Sequence, residues 1–440
     1  MHMRLSEFIQ YIKAALVEET TPSEPTEQTS AEETAVGEIS KKEMVLKAVI
    51  NRGIEIQPKD LPRVEEELLA YFEECKNGDY FNDIDSANYY QLLDIRERPD
   101  TRVVIIGDVH CDYKSLAAIM LKLSVSEYDY FEKAYFVFLG DYLDRGCALF
   151  EPLLLLMDLK RILGDRLIML RGNHELIDYD EEKQELAGKV LPLDSVPCLN
   201  EYCIDNKIFL KSFAYFYCTL PTYVYLKSAD QNILLTHGAI PRQVFLDVFH
   251  FNEETGAIVF DDEELAKLNI NQLHARNQIL NDMIWGDPSN DLEKYQVNGR
   301  FEFGSKQYDA YAQKNKLNRV FRSHEPVDDG FKSFFNGCVC TVFSTGGATN
   351  EQTGYPEVEP AFAIIGPNDY RCIENSFLYH VSIEDEVDVT CNLYSGMSLK
   401  HKEAKRYSLH PEFYCTDEKA MQIESLFKRI NDGFPLEEEY

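Results

Sequence analysis

The sequence predicts a mixed α/β or α+β fold, and three stretches between Arg102 and Glu175 carry that prediction. Val103-Val104-Ile105-Ile106 runs into Gly107-Asp108-Val109-His110. Tyr135-Phe136-Val137-Phe138-Leu139 runs into Gly140-Asp141-Tyr142-Leu143-Asp144-Arg145-Gly146. Leu167-Ile168-Met169-Leu170 runs into Arg171-Gly172-Asn173-His174-Glu175. Each apolar run is short, rich in branched or aromatic residues and closed by a nearby glycine, which is the pattern of a buried strand. Residues 114–123 and 150–163 follow the first two runs with helical spacing, so strand–motif–helix repeats give βαβ units with largely parallel strands. Each motif lies just past a strand's C-terminal end, where open α/β layers place their sites.

The remaining elements follow from periodicity and punctuation. Leu5, Phe8, Ile9, Ile12, Ala15 and Leu16 line one face of a helix over 5–18, suited to packing on the domain or on a partner. Residues 20–40 are rich in Thr, Ser, Glu and Pro and read as a flexible acidic linker. Helices are predicted over 41–52 and 61–75, the second admitting Pro62 in its first turn and stopping at Asn77-Gly78. A short strand is expected at 91–95, an acidic loop at 180–196, and a helix at 207–217 with Phe209, Phe213, Phe216 and Tyr217 in the core. The strand Ile233-Leu234-Leu235-Thr236 ends at His237-Gly238-Ala239. The acidic segment 251–265 reads as a solvated surface loop, with a place at the border of a cleft as the alternative. Further strands are expected at 338–344, 361–367 and 377–383, and a helix at 418–430 before the tail Glu437-Glu438-Glu439. The chain thus divides into an N-terminal helix and linker (1–40), a motif-bearing domain with its own N-terminal helices (41–385) and a C-terminal extension (386–440).

Composition narrows the classes of function. The net charge of −32 over 440 residues argues against a nucleic-acid partner, which needs a basic face, and is compatible with basic peptide substrates. Eleven cysteines with no C-x-x-C pair do not read as a disulfide framework or a zinc site, so a reducing, cytoplasmic compartment is expected. No apolar run approaches the roughly 18 residues of a membrane span. The acidic linker and tail suit a eukaryotic protein or a bacterial one delivered into host cells.

The motif residues fit one chemistry. Asp, His and Asn are ligands for hard or borderline divalent metals. Asp108 and His110, two apart on a bent loop, can reach one ion. Asp141 can bridge two ions, and Asn173 offers an amide oxygen to the second. Arg145 presents a planar fork to phosphate oxygens. His174 is a candidate proton donor. A two-metal hydrolase of phosphate esters needs this set. Each residue alone is more often a cap or loop residue than a ligand; their joint spacing carries the reading.

G-D-x-H, G-D-x-x-D-R-G and R-G-N-H-E in this order resemble the signature of the PPP metallophosphatases, the family of the common protein serine/threonine phosphatases. The resemblance covers most of Val103 to about Pro367. It implies a central β-sandwich flanked by helices, with a dimetal site at the loop ends, as in calcineurin-like phosphoesterases. His237-Gly238-Ala239 stands at the family's H-G-G, and Ser323-His324 ends its R-x-H, so His237 and His324 are implied ligands of the second metal. Trp285-Gly286-Asp287-Pro288 resembles W-x-D-P. Asn298-Gly299-Arg300 resembles the phosphate-contacting N-x-R, making Arg300 a second fork opposite Arg145. Glu175 and Asp287 are expected to orient the loops and His174.

On this resemblance Asp108, His110 and Asp141 hold one ion and Asp141, Asn173, His237 and His324 the other, with Mn, Fe or Zn as the metal. A hydroxide bridging the ions attacks phosphorus in line, Arg145 and Arg300 neutralise the growing charge, and His174, held by Asp144, protonates the leaving oxygen. The implied substrate is a phosphoprotein or phosphopeptide. Two departures stand out. Cys111 replaces a glycine directly after His110. The loop Ser344-Thr345-Gly346-Gly347-Ala348-Thr349 lacks the family's tyrosine, which predicts a wider pocket and keeps phosphotyrosine beside phosphoserine and phosphothreonine. Two other readings are a small-molecule phosphohydrolase, such as a dinucleotide polyphosphatase or phosphodiesterase, and an inactive phosphoprotein-binding scaffold.

Overall fold

The computed structural model describes residues 39–366 and 377–380, apart from 54, 78–88, 99, 125, 127, 192–193, 229–230 and 291–300. The expected helices at 5–18 and 418–430, the linker at 20–40 up to its last two residues, the C-terminal extension and Arg300 lie outside the described residues.

Two sheets face each other. One has the strand order Phe377–His380, Ala361–Ile365, Val103–Ile106, Tyr135–Phe138, Leu167–Met169. Its last three strands are parallel, as the βαβ reading requires, and Ala361–Ile365 pairs antiparallel on both sides. The other has the order Tyr90–Asp94, Tyr223–Ser228, Gln231–Thr236, Arg319–Arg322, Val339–Val342, Phe331–Phe334. It mixes parallel and antiparallel pairs.

Strand alternation sorts the apolar residues into layers. Val103, Ile105, Val137, Leu139 and Ile168 of the first sheet meet Val224, Leu226, Ile233, Leu235, Phe321, Cys340 and Val342 of the second, forming the sandwich interior. The intervening residues Val104, Ile106, Phe136, Phe138 and Met169 face outward under helices, among them Tyr113–Ser124 and Glu151–Leu163. Strands covered on both faces read as unbroken apolar runs, which is why the three motif strands show no polar alternation. On the other side Tyr223, Tyr225, Leu234 and Val320 pack with Ala275, Ile279, Met283, Tyr308 and Tyr311 of the helices Gln272–Trp285 and Ser305–Asn315. This is the β-sandwich flanked by helices that the motifs imply.

The helices Lys41–Arg52 and Leu61–Asn77 contribute Val45, Val49, Val64, Leu68 and Phe72 to the same outer core. Ser40 and Glu43 form a capping box at the start of the first. Arg52, at its end, reaches Asp158 and Glu67 on two neighbouring helices.

Two segments differ from expectation. Residues 180–196 are not one loop: Ile177–Asp180 and Glu185–Gly188 form a hairpin, and a helix, Ser195–Tyr202, begins at its end. Ile177 and Leu186 are the hairpin's buried anchors, too few to register as a periodic pattern. Residues 251–265 likewise build structure. Phe249–Phe251 pairs with Ile258–Phe260, and Asp261 caps the helix Asp262–Leu268. Phe251, Ile258 and Leu265 are buried beneath the charged surface, so these acidic residues are the solvated face of a packed element.

Candidate active site

The ends of the motif strands converge with the loops after Gln231–Thr236 and Arg319–Arg322. Backbone amides of Val109 and His110 both donate to the Asp141 carbonyl, at 3.0 and 2.8 Å, tying the first two motif loops together. The His174 amide donates to Asp141 Oδ1 at 3.0 Å, which adds the third. The His324 amide donates to Asp108 Oδ1 at 3.1 Å, and the Asp108 amide to Ser323 Oγ at 2.9 Å, bringing in the opposite sheet. Of eleven non-glycine residues with positive φ among the described residues, six are here: His110, Cys111, Asp141, Asp144, Arg145 and His324. Left-handed backbone is costly for such residues and persists where surrounding contacts over-determine it. Gly140, at φ +114°, lies so close to the Gly172 backbone that a Cβ would stand 2.4 Å from Gly172 N. Only glycine lets the second and third loops approach in this way.

Asp108, His110, Asp141, Asn173, His237 and His324 are all buried, and their donor atoms crowd together. His110 Nε2 is 3.3 Å from Asp108 Oδ2 and 3.7 Å from Asp141 Oδ2. His237 Nε2 is 3.2 Å from Asp141 Oδ2 and 3.2 Å from His324 Nδ1. Asn173 Oδ1 is 2.8 Å from both His237 Nε2 and His324 Nδ1. Two clusters, His110–Asp141–His174 and Asp141–His237–His324, share Asp141, and each has ligand atoms within 4.8 Å of one another.

The donor set fits cations. His110 Nδ1 donates to the Leu143 carbonyl at 2.8 Å, and His237 Nδ1 to the Leu139 carbonyl at 3.1 Å. Those bonds occupy Nδ1 of each ring and leave Nε2, the atom that carries the lone pair of a neutral imidazole, facing carboxylate oxygens and the Asn173 amide. Lone pairs facing lone pairs repel unless positive charge lies between them. The same crowding sets the proton affinities. Burial disfavours charge on His110, but the Asp108 and Asp141 carboxylates outweigh it and push the imidazole up to about 9. His237 is raised likewise, chiefly by Asp141 against the effect of burial. Burial opposes ionisation of Asp141, yet the surrounding His237, His174 and His110 hold it well below the usual carboxylate range.

His174 belongs to the first cluster, with its Nε2 3.9 Å from Asp141 Oδ2. Its Nδ1 is 2.7 Å from Asp144 Oδ2, the expected pair. Burial raises the Asp144 carboxyl, and the His174 hydrogen bond with the Ser195 and Asp194 amides more than offsets this, leaving it lowered. Arg145 follows at the rim; its Nη2 donates to the Leu191 carbonyl at 3.4 Å, and its Nη1 lies 3.7 Å from Asp194. Glu175 accepts the amides of Asp141, Tyr142 and Gly172 at 2.8–2.9 Å, and so fixes the second and third loops as expected. Burial, then the Asp141 charge, push its carboxyl up to about 8. Cys111 is buried, with burial driving its thiol upward, and behaves as a small core residue. Ala239 is buried without a positive φ, so the loop accepts its Cβ.

A cleft of about 550 Å³ opens over this centre. His110, Asp141, Arg145, Asn173, His174 and His324 form its floor, and Lys189, Leu191, Trp285, Pro326 and Tyr355 are among its walls. Residues 251–265 do not line it. Trp285 is half-buried and sets its ring edge-on to His324 at 5.6 Å between centroids, a wall of the cleft and not simply core.

Tyr355 and Arg322 take roles that the sequence reading did not assign them. Tyr355 corrects the expectation of an open pocket: its ring lies 5.4 Å from His110 and 5.0 Å from Phe343, and its hydroxyl is 3.5 Å from His110 Nε2. The aromatic absent from the 344–349 loop is thus supplied from farther along the chain. Arg322 is fully buried and donates to the Gly238 carbonyl, the Gly286 carbonyl, Asp287 and Glu325, at 2.9, 3.2, 2.6 and 3.1 Å. It ties the His237, Asp287 and His324 loops together; an arginine between Phe321 and Ser323 in an apolar strand was the signal.

A β-sandwich with two nitrogen–oxygen donor clusters at its loop ends, beside an arginine and an Asp–His pair, defines the metallophosphoesterases as a class. The chain belongs to the calcineurin-like phosphoesterase family, which matches residues 101–328, just over half of it. That family uses a dimetal centre, and the clusters here are its candidate ligands. A probable serine/threonine-protein phosphatase of Encephalitozoon cuniculi is 27% identical over 252 residues, 55% of this chain and 46% of that protein. The serine/threonine-protein phosphatase 4 catalytic subunit of Saccharomyces cerevisiae is 26% identical over 257 residues, 56% of this chain and 69% of that subunit. The chain therefore spans about half the length of the first relative. A solved protein serine/threonine phosphatase from Saccharomyces cerevisiae shares the fold at a TM-score of 0.50 and 18% identity, covering 76% of this chain and 92% of that one.

Proposed function

We propose that this chain is a metal-dependent phosphoprotein phosphatase that hydrolyses phosphate monoesters, with phosphoserine and phosphothreonine as its main substrates. The observation that carries the reading is the convergence of buried lone pairs on Asp141 next to Arg145 and the Asp144–His174 pair, all on the floor of one cleft. Asp108, His110 and Asp141 would hold one cation and Asp141, Asn173, His237 and His324 the other, and Mn suits this nitrogen–oxygen set. When bound, the two cations activate a water and neutralise phosphoryl charge.

The protein's own groups do the rest. Arg145 offers its guanidinium fork to the phosphoryl oxygens and orients them. Asp144 accepts from His174 Nδ1 and fixes the ring, so that Nε2–H is directed at the leaving oxygen. Arg300 is the second proposed fork. No cysteine lines the cleft among the described residues, so a cysteinyl-phosphate intermediate has no nucleophile there. The similarity to serine/threonine phosphatases supports a phosphorylated protein as substrate over a small molecule. Complete donor clusters favour catalysis over an inactive scaffold.

Phosphate release from matched phosphoserine, phosphothreonine and phosphotyrosine peptides tests this. The Mn-loaded protein is expected to favour the first two, with Asp108→Asn inactive on all three. Turnover of a dinucleotide polyphosphate with no peptide activity would overturn the assignment.

A further inference from the structure

The hairpin-and-helix segment after the third motif does more than cover the core. Its helix begins at Ser195, and that end faces the Asp144–Arg145 turn. The Asp144 amide donates to Ser195 Oγ at 2.8 Å, and the Ser195 amide donates back to Asp144 Oδ1 at 2.7 Å. Beside this reciprocal pair the Asp194 amide donates to the same oxygen at 3.1 Å, and the Arg145 amide donates to Asp194 Oδ2 at 3.2 Å. Asp144 Oδ2 remains for His174 Nδ1. Ser195 and Asp144 are both buried, at 3% and 2% exposure, so water does not stand in for either partner. The Ser195 hydroxyl also lies 3.6 Å from Cys111 Sγ, within reach as its donor.

This clamp answers a structural need. Asp144 and Arg145 hold consecutive positive φ angles, +64° and +69°, a turn that ordinary L-residues leave unless it is held. A carboxylate has two oxygens and four lone-pair directions. Fixing Oδ1 on two amides and the backbone amide on Ser195 Oγ leaves one orientation for Oδ2, the one that meets His174.

We infer that Ser195 is a positioning residue for proton transfer, aligning Asp144 so that His174 protonates the leaving oxygen. The inference rests on the phosphatase reading. It goes beyond that reading by assigning a role in the reaction to the segment outside the three motifs.

The test separates proton donation from everything else by the leaving group. A serine alkoxide is a poor leaving group and needs the proton; a nitrophenolate is a good one and does not. Ser195→Ala leaves the buried Asp144 amide without its acceptor. For the Mn-loaded full chain, its kcat on a phosphoserine peptide is expected to fall about tenfold or more, as loss of aligned acid catalysis does. On p-nitrophenyl phosphate the fall should be less than about threefold, with bound Mn unchanged. Asp144→Asn should show the same selectivity, and adding Ser195→Ala to it should cost little more, because residues acting as a unit are not additive. Ser195→Thr, which keeps the hydroxyl, should restore the peptide rate.

Equal losses on both substrates, no loss on either, or a drop in bound Mn would overturn the inference. A wild-type protein inactive on both substrates would instead overturn the phosphatase reading. If Ser195→Thr does not fold, the double-variant comparison decides alone.

Discussion

A single ring, Tyr355, stands in the wall of the cleft, and on the proposed phosphatase reading it would limit how bulky a phosphorylated side chain enters. Tyr355 sits tilted against His110 and edge-on to Phe343, with its hydroxyl toward the His110 ring. Its place is held by the chain before it: Asp112 Oδ2 accepts from Thr345 Oγ1 at 2.7 Å and from Asn350 Nδ2 at 2.8 Å, and Cys147 N donates to the Gln352 carbonyl at 3.0 Å. Removing the ring by Tyr355→Ala should widen the mouth and raise the ratio of phosphotyrosine to phosphothreonine kcat/KM about tenfold, the scale on which pocket volume discriminates. An unchanged ratio, measured on matched peptides, would show that the ring does not set the width. The candidate metal-donor residues were legible in the sequence because each follows a strand at fixed spacing. Tyr355 was not, because the loop that delivers it is held by Asp112 and Asn350 through contacts that carry no local pattern. Ser195 was hidden for a related reason: a polar hairpin with Ile177 and Leu186 as its buried residues looks like a loop in sequence.

At the scale of elements, one arginine adds a charged link between the N-terminal helices and the motif-bearing core on which they pack. Arg52 Nε donates to Asp158 Oδ2 at 2.6 Å and its Nη1 to Glu67 Oε2 at 3.1 Å, with 15% of the side chain exposed. It thereby links the helices Lys41–Arg52, Leu61–Asn77 and Glu151–Leu163. Arg52→Ala leaves two partly buried carboxylates facing each other. It should destabilise the fold by about 2 kcal/mol, between the values for exposed and buried pairs. Burial raises the Glu67 carboxyl, but Arg52 outweighs it and holds the group below its ordinary 4.5. A lowered folded value means the unfolded chain takes up protons first, so this contribution is complete above pH 4.5 and is lost as the pH falls toward the lowered value. Denaturant unfolding of wild type and Arg52→Ala should therefore converge as the solution is acidified below 4.5. A gap that stays constant through that window would contradict the link. These helices were readable in sequence from their apolar spacing and capping residues. The arginine bridge was not, since it spans 106 residues to Asp158.

Across the whole molecule, the sandwich and its site have different origins in the sequence. The layers follow from alternation within short strands: Val103 and Ile105 face inward while Val104 and Ile106 face the helices. The site follows from where those strands end, and the second sheet reaches it through His237 and His324, carried on the loops after Gln231–Thr236 and Arg319–Arg322. Arg322 then locks these loops from below. A scaffold of this kind brings donor atoms together before any cation arrives, at an electrostatic cost that bound cations relieve. Titrating metal-stripped protein with Mn while phosphate release from a phosphothreonine peptide is followed tests that account most directly. Turnover should be absent at the start and should saturate at about two ions per chain, the number the shared Asp141 geometry accommodates. Full turnover by the stripped protein, or two bound ions with no turnover of any phosphorylated peptide, would contradict it.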